Sequence, residues 1–322
     1  MRVELAAPGF ATHLLSDLTD WQRRPLPVAE LEPFDLPDDA YFEYAWQDAA
    51  GDRHPDPANP NPRLNPWWEY ASNLAGPAWR PDPDADPGDA RPRGRVLKLE
   101  VDSRILGQRR RLLVYSPPGL ADAELPLVLF QDGKAYFGWG KAPQVYDRLH
   151  ARGEVAAAHL VFVPPQERTQ EYFFNGEYRR FLLEEALPAA EARARCDGRR
   201  VAWGASLGGL LSAQLAWERR DLFGAVVTQS GAFLFSPETR DPFAGQEAFL
   251  AEVRAGDPTG LRWHLDCGTL EWLLASNRNL AGALGTAGAD VQLVTRNAGH
   301  NWINWRSGLP GAFRRVLPRN FG

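Results

Sequence analysis

The sequence predicts an α/β protein: a mainly parallel sheet covered by helices on both faces, preceded by a small β-sandwich. Three observations carry this. From Arg95 onward, apolar strand-like runs alternate with helical stretches, the rhythm of parallel strands joined by crossovers. Before residue 80 that rhythm is missing, and short strand-like runs stand between turn and loop signals. Third, Gly204-Ala205-Ser206-Leu207-Gly208 sits between a buried run and a helical one. A sharp turn there lifts a serine hydroxyl clear of a sheet.

In the first 80 residues, Ala11 to Leu15 and Tyr41 to Trp46 read as short strands, bounded by Ser16-Asp17, Pro37-Asp38-Asp39, Gly51-Asp52 and the Pro/Asn cluster 56–62. Residues 81–94, dense in Pro, Asp and Gly, read as an exposed linker. Residues 95–322 form the larger domain. It opens with a hairpin, Val96 to Val101 and Arg111 to Tyr115, turning near Ile105-Leu106-Gly107-Gln108. Strands follow at Leu127–Phe130, Leu160–Val163, Val201–Gly204, Ala225–Thr228, Trp263–Cys267 and Val291–Thr295. Helical stretches fall at Gln144–Arg152, Tyr178–Arg195, Leu207–Arg219, Gln246–Ala255, Glu271–Leu284 and Asn304–Arg315. In such sheets ligands bind beyond the carboxyl ends of the strands, where Ser206 lies.

Composition narrows the function classes. The 322 residues are 44% hydrophobic and 24% charged, the range of a soluble globular protein. A net charge of -5, with no basic run interleaved with aromatics, argues against general nucleic-acid affinity. No apolar run reaches the roughly 18 residues of a membrane span, and Met1 to Leu5 lacks a signal-peptide core. The expectation is therefore a cytoplasmic protein with no membrane partner. Cys196 and Cys267 lack metal-ligand spacing and read as free buried thiols. Most of the 12 Trp should be core or pocket wall.

A serine hydroxyl needs an adjacent base to act as a nucleophile. Of the six His, His264 falls inside a strand and reads as a packed core residue, whereas His300 follows the last strand in a loop and can project over the strand ends. The elbow pattern goes with the chain order nucleophile, acid, base, so His300 fits as base. The acid should follow a strand between them. Glu271, just beyond Cys267-Gly268-Thr269-Leu270, is preferred. Asp266 is the rival but lies within the strand, and Asp290 stands at the wrong end of the sheet. An oxyanion hole needs two N–H donors: Leu207, directly after the nucleophile, and Lys134, after the buried strand and Gly133 turn of Leu127 to Lys134.

These residues resemble a known family. Asp17-Leu18-Thr19-Asp20-Trp21, Phe42-Glu43-Tyr44-Ala45-Trp46 and Asp56-Pro57-Ala58-Asn59-Pro60 resemble the Ig-like N-terminal domain of the enterochelin esterases, which belong to the esterase D-type α/β-hydrolases. Leu129 to Gly133, Arg168 to Asn175, Gly204 to Gly209 and Gly299 to Arg306 resemble, in order, their oxyanion turn, the segment leading into the helix before the elbow, the elbow and the histidine loop. The resemblance implies a Ser206–His300–Glu271 serine esterase cleaving a siderophore trilactone or its ferric complex. It implies no catalytic metal or organic cofactor, since iron would travel with the substrate. A bulky trianion with catecholate rings calls for Arg and aromatic contacts, and Arg168, Trp139, Trp302, Trp305 and Arg306 lie in flanking loops. A broad carboxylesterase or feruloyl-type esterase is the second reading, and a non-catalytic binding protein the third. Oligomeric state is not legible in the sequence.

Overall fold

The computed structural model describes residues 1–88, 90–239 and 246–319. Asp89 of the expected linker, and residues 240–245 and 320–322 of the expected larger domain, lie outside the described residues.

The N-terminal part is a small β domain. Its strands are β1 (Arg2–Val3), β2 (Ala11–Ser16), β3 (Leu26–Pro27), β4 (Phe34–Asp35), β5 (Tyr41–Asp48), β6 (Arg53–His54) and β7 (Ser72–Ala75). β2, β3, β5, β6 and β7 make one antiparallel sheet around β5, while β1 and β4 pair separately. Val3, Leu14, Phe42, Tyr44 and Trp46 share the core between the ribbon and the sheet. The second layer is therefore only the β1–β4 ribbon. Among the described residues, 77–88 and 90–94 form no strand or helix. They lie against the larger domain, where Asp84 pairs with Arg152 and Arg314.

The larger domain holds an eight-stranded sheet in the order β15-β14-β13-β12-β10-β11-β9-β8. The hairpin β8 (Arg95–Ser103) and β9 (Gln108–Ser116) is antiparallel, and β9 runs antiparallel to β11 (His159–Phe162). The strands β10 (Leu125–Phe130), β11, β12 (Cys196–Ala205), β13 (Ala225–Gln229), β14 (Arg262–Gly268) and β15 (Asp290–Arg296) pair in parallel. Successive side chains of a strand point to opposite faces, and the core divides accordingly. Leu129, Ala202, Val226 and Leu265 enter one apolar cluster, and Val128, Phe130, Trp203 and Val227 the other. Buried on both faces, these strands read as continuous apolar runs, as parallel strands do.

The helices are α1 (Gly133–Gly138), α2 (Ala142–Ala151), α3 (Arg168–Tyr172), α4 (Gly176–Phe181), α5 (Leu187–Glu191), α6 (Leu207–Glu218), α7 (Ala248–Ala255), α8 (Leu274–Thr286) and α9 (Trp302–Val316). The expected helix 178–195 is interrupted by a π-turn at Leu182–Ala186 and ends at Glu191. Pro188 has no N–H to donate to the Glu184 carbonyl and its ring crowds that carbonyl, and the wider turn absorbs the misfit. Cys196 and Cys267 are free; Cys267 is buried and Cys196 half-buried. No described helix is long and apolar enough to cross a membrane, and no described cluster of His, Cys, Asp or Glu is arranged to hold a metal ion.

Candidate active site

The chain turns sharply between β12 and α6. Ser206 stands at the turn with φ 57° and ψ -124°, a conformation that costs a non-glycine residue about 1–3 kcal/mol. Packing holds it there. A side chain on Gly204 would collide with the Gly208 carbonyl, so strand and helix can close on the serine only because Gly204 lacks one; a side chain on Gly208 would instead press on the Asp132 carboxylate.

The loops after β14 and β15 converge on this hydroxyl. His300 Nε2 lies 3.0 Å from Ser206 Oγ, and His300 Nδ1 lies 2.6 Å from Glu271 Oε2. The other Glu271 oxygen accepts from Ser230 Oγ at 2.6 Å and from the Gly268 N–H at 2.7 Å. Ser230 Oγ in turn accepts from Trp305 Nε1 at 2.9 Å. Helix α8 starts at Leu274 rather than Glu271. Glu271 therefore stands in the turn before it, with its carboxylate directed at the imidazole. Trp272 and Trp305 flank the His300 ring at 4.8 and 4.9 Å between centroids.

Asp266 is fully buried and turned away, ion-paired with Arg296 and held by Gln229 Nε2 at 3.3 Å. His264 is a core residue, as its strand position implies. Its Nδ1 is buried without a partner, and burial pushes its pKa down to about 4.

The sequence points to two backbone N–H groups, those of Leu207 and Lys134, for charge developing at an attacked carbonyl. Leu207 opens α6, where the first N–H groups of a helix have no intrahelical partner. In the turn after β10, the Asp132 N–H donates to Tyr172 Oη at 2.7 Å and the Gly133 N–H to Val163 O at 3.0 Å. That leaves the Lys134 N–H without an acceptor among the described residues; its side chain is exposed. Arg168 braces the same turn, with Nε and Nη2 on the two Asp132 oxygens at 2.6 and 2.8 Å and Nη2 on Ala205 O at 3.1 Å. Burial opposes the guanidinium charge, but the Asp132 carboxylate outweighs it and raises the Arg168 pKa above its usual range.

Ser206 and His300 open into a cleft of about 340 Å³. Larger hollows of about 520 and 640 Å³ lie elsewhere and do not reach Ser206. Of the five side chains expected from the sequence to contact substrate, Arg168 lines this cleft. The other four do not. Trp302 and Trp305 are core residues, because α9 starts at Trp302 and turns both rings inward. Arg306, half-buried on α9, lies outside the lining, and Trp139 is 56% exposed just beyond α1.

Sequence reasoning missed the walls that are present. Asp20, Trp21, Arg23, Trp67 and Trp68 come from the N-terminal domain, and Phe173, Phe235 and Trp272 from loops of the larger one. Asp20 stands out. Both its oxygens are buried without a hydrogen-bond donor, Arg23 Nη1 is 3.7 Å away, and burial raises its pKa to about 6. Ser230 was also missed, although a serine directly after a buried strand, before Gly231, was a readable signal.

Comparison with known proteins points to esterases. Residues 103–316 match the model of a family described as putative esterase. The iron(III) enterobactin esterase of Dickeya dadantii is 30% identical over 298 residues, covering 81% of this chain and 65% of that protein. The iron(III) enterobactin esterase of Escherichia coli K12 is 26% identical over 311 residues, covering 91% of this chain and 68% of that protein. This chain thus spans about two thirds of the length of these relatives. Among solved structures, the enterochelin esterase of Shigella flexneri superposes with a TM-score of 0.76 at 20% identity, covering 96% of this chain and 88% of that one. A ferulic acid esterase superposes with a TM-score of 0.63 at 24% identity, covering 71% of this chain and all of that one.

Proposed function

The chain belongs to the putative esterase family, and from that premise we propose that it is a serine ester hydrolase whose triad is Ser206, His300 and Glu271. The observation that carries the reading is the unbroken line from Glu271 through both imidazole nitrogens to Ser206 Oγ. Ser206 Oγ attacks the ester carbonyl as His300 Nε2 takes its proton. Glu271 keeps the proton on Nδ1 and stabilises the imidazolium. The Leu207 and Lys134 N–H groups donate to the oxyanion, each contributing roughly 3 kcal/mol to the transition state. Collapse breaks the ester C–O bond, and His300 returns its proton to the leaving alkoxide. A water deprotonated by His300 then attacks the acyl-enzyme. The second collapse releases the acid and restores the Ser206 hydroxyl.

For the substrate we propose a siderophore trilactone of the enterobactin type or its ferric complex, a small-molecule ester in either form. The names of the Dickeya and Escherichia relatives support this, as do the aromatic walls and the Arg23 and Arg168 side chains at the cleft. A feruloyl-type esterase is the second reading, favoured by the ferulic acid esterase whose whole length is covered. The reading includes a cytoplasmic location. A turnover screen across the trilactone, its ferric complex and hydroxycinnamate esters separates the two, with Ser206→Ala as control. Faster turnover of the trilactone supports the first reading, and preference for hydroxycinnamates the second. Hydrolysis that survives in Ser206→Ala overturns both.

A further inference from the structure

The residue preceding each member of the acid–base pair is gripped by the N-terminal domain. Leu270, before Glu271, is 7% exposed and packs into the core built by Val3, Phe42, Tyr44 and Trp46. Gly299, before His300, lies under the Asp17 carboxyl so closely that any side chain there would overlap Cγ and both oxygens. The chain just before Gly299 is held as well. The Tyr41 N–H donates to Asn297 O at 2.8 Å, Tyr41 bridges to Ala298 in parallel, and Asn297 Nδ2 donates to Asp39 Oδ1 at 2.7 Å.

Asp17 itself is fixed from its own side. Its Oδ1 accepts from Trp21 Nε1 at 3.2 Å and its Oδ2 from the Glu43 N–H at 2.8 Å. Glu43 is in turn held by Asn65 Nδ2 at 2.7 Å. Burial, reinforced by the neighbouring Glu43 and more weakly by Glu271, raises the Asp17 pKa well above the usual carboxylate range. The uncharged form, which burial favours, opposes the nearby Glu271 carboxylate less than a charged Asp17 would.

We propose that the N-terminal domain sets the geometry of the catalytic pair, with Asp17 as a positioning residue that holds the Gly299 turn and keeps His300 between Glu271 and Ser206. This rests on the triad reading above. Asp17 touches neither substrate nor the reacting atoms; it acts through the backbone of Gly299. Because the grip is steric, displacement from one side can be relieved from the other.

The test is a pair of substitutions with a rescue. Gly299→Ala drives a methyl into the Asp17 carboxyl and must move the His300 turn. Its kcat should fall about 100-fold, the loss expected for a misplacement near 1 Å, while KM changes less than about threefold because the cleft walls stay in place. Asp17→Ala removes the obstructing atoms, so the double variant should recover kcat at least about tenfold over Gly299→Ala. A low-field proton NMR signal from His300 Nδ1–H on Glu271 reads the same geometry without turnover. It should be lost or shifted in Gly299→Ala and return in the double variant. If wild type hydrolyses no ester yet the signal behaves this way, the esterase reading fails and the positioning role stands. Wild-type kcat and an unmoved signal in Gly299→Ala, or a folded double variant no faster than Gly299→Ala, overturns the proposal.

Discussion

Replacing Glu271 by Gln is the sharpest perturbation of the proposed triad, because the surrounding hydrogen bonds dictate how the amide must sit. Glu271 Oε1 accepts at short range from the Ser230 hydroxyl and the Gly268 N–H, and more weakly from the Cys267 thiol at 3.5 Å. An amide NH₂ cannot take the place of that oxygen without losing both short bonds, about 1–3 kcal/mol for a buried donor left unmet. The amide oxygen therefore stays there and the NH₂ faces His300 Nδ1. A donor at that position turns Nδ1 into an acceptor and moves the ring proton to Nε2, 3.0 Å from Ser206 Oγ. An imidazole protonated at Nε2 cannot take the serine proton. The wrong tautomer with intact geometry lowers kcat by about 10⁴, or ~5.5 kcal/mol. Glu271→Ala leaves both tautomers open, so Gln should be at least as slow as Ala. Steady-state kinetics on an activated aryl ester, with thermal unfolding as a check on the fold, makes the measurement. A Glu271→Gln enzyme within about tenfold of wild type refutes the reasoning. So does a folded Asp266→Asn enzyme that is the more crippled of the two.

The cleft walls make a second prediction: Trp67→Ala should raise KM for an aromatic ester several-fold, about 1 kcal/mol for one lost ring contact. Trp139→Ala, at an exposed ring outside the cleft, should change neither KM nor kcat. Arg168→Lys keeps a charge but not the two-pronged grip on Asp132. It should lower kcat by about tenfold or more by loosening the oxyanion turn, and unchanged kcat counts against that role. Burial raises the Glu43 pKa to about 7, above the ordinary value of 4.5. In that window the unfolded chain releases a proton that the folded one keeps. The stability tied to protonated Glu43 is therefore full below pH 4.5 and lost as pH rises through about 7. The melting temperature of Glu43→Gln relative to wild type should be higher at pH 8 than at pH 5; a pH-independent difference contradicts this.

The parallel sheet was legible because β10, β12 and β13 are buried on both faces and so appear as unbroken apolar runs. Ser206 and Glu271 could be picked out because they stand just past the carboxyl ends of buried strands, and His300 because it follows the edge strand β15 in a loop. The aromatic residues near His300 could not be sorted the same way. Trp302 and Trp305 look like loop residues until Asn301 is seen to cap α9, its side chain accepting from the Asn304 N–H at 2.9 Å. That cap starts the helix two residues before the apolar pattern suggested. The π-turn at Leu182–Ala186 was hidden because Pro188 has helical neighbours on both sides. Asp20, Trp67 and Trp68 are more than 130 residues from Ser206 in the chain. They reach the cleft through the seating of one domain on the other, which no local pattern encodes.

The central claim is that Ser206 is the nucleophile and His300 its base. It is tested most directly by treating the protein with a fluorophosphonate and mapping the adduct by peptide mass spectrometry. One adduct is expected, on Ser206, with none in Ser206→Ala and labelling slowed by orders of magnitude in His300→Ala. Absence of an adduct on Ser206 in the folded protein, with ester turnover unchanged in Ser206→Ala, would contradict it.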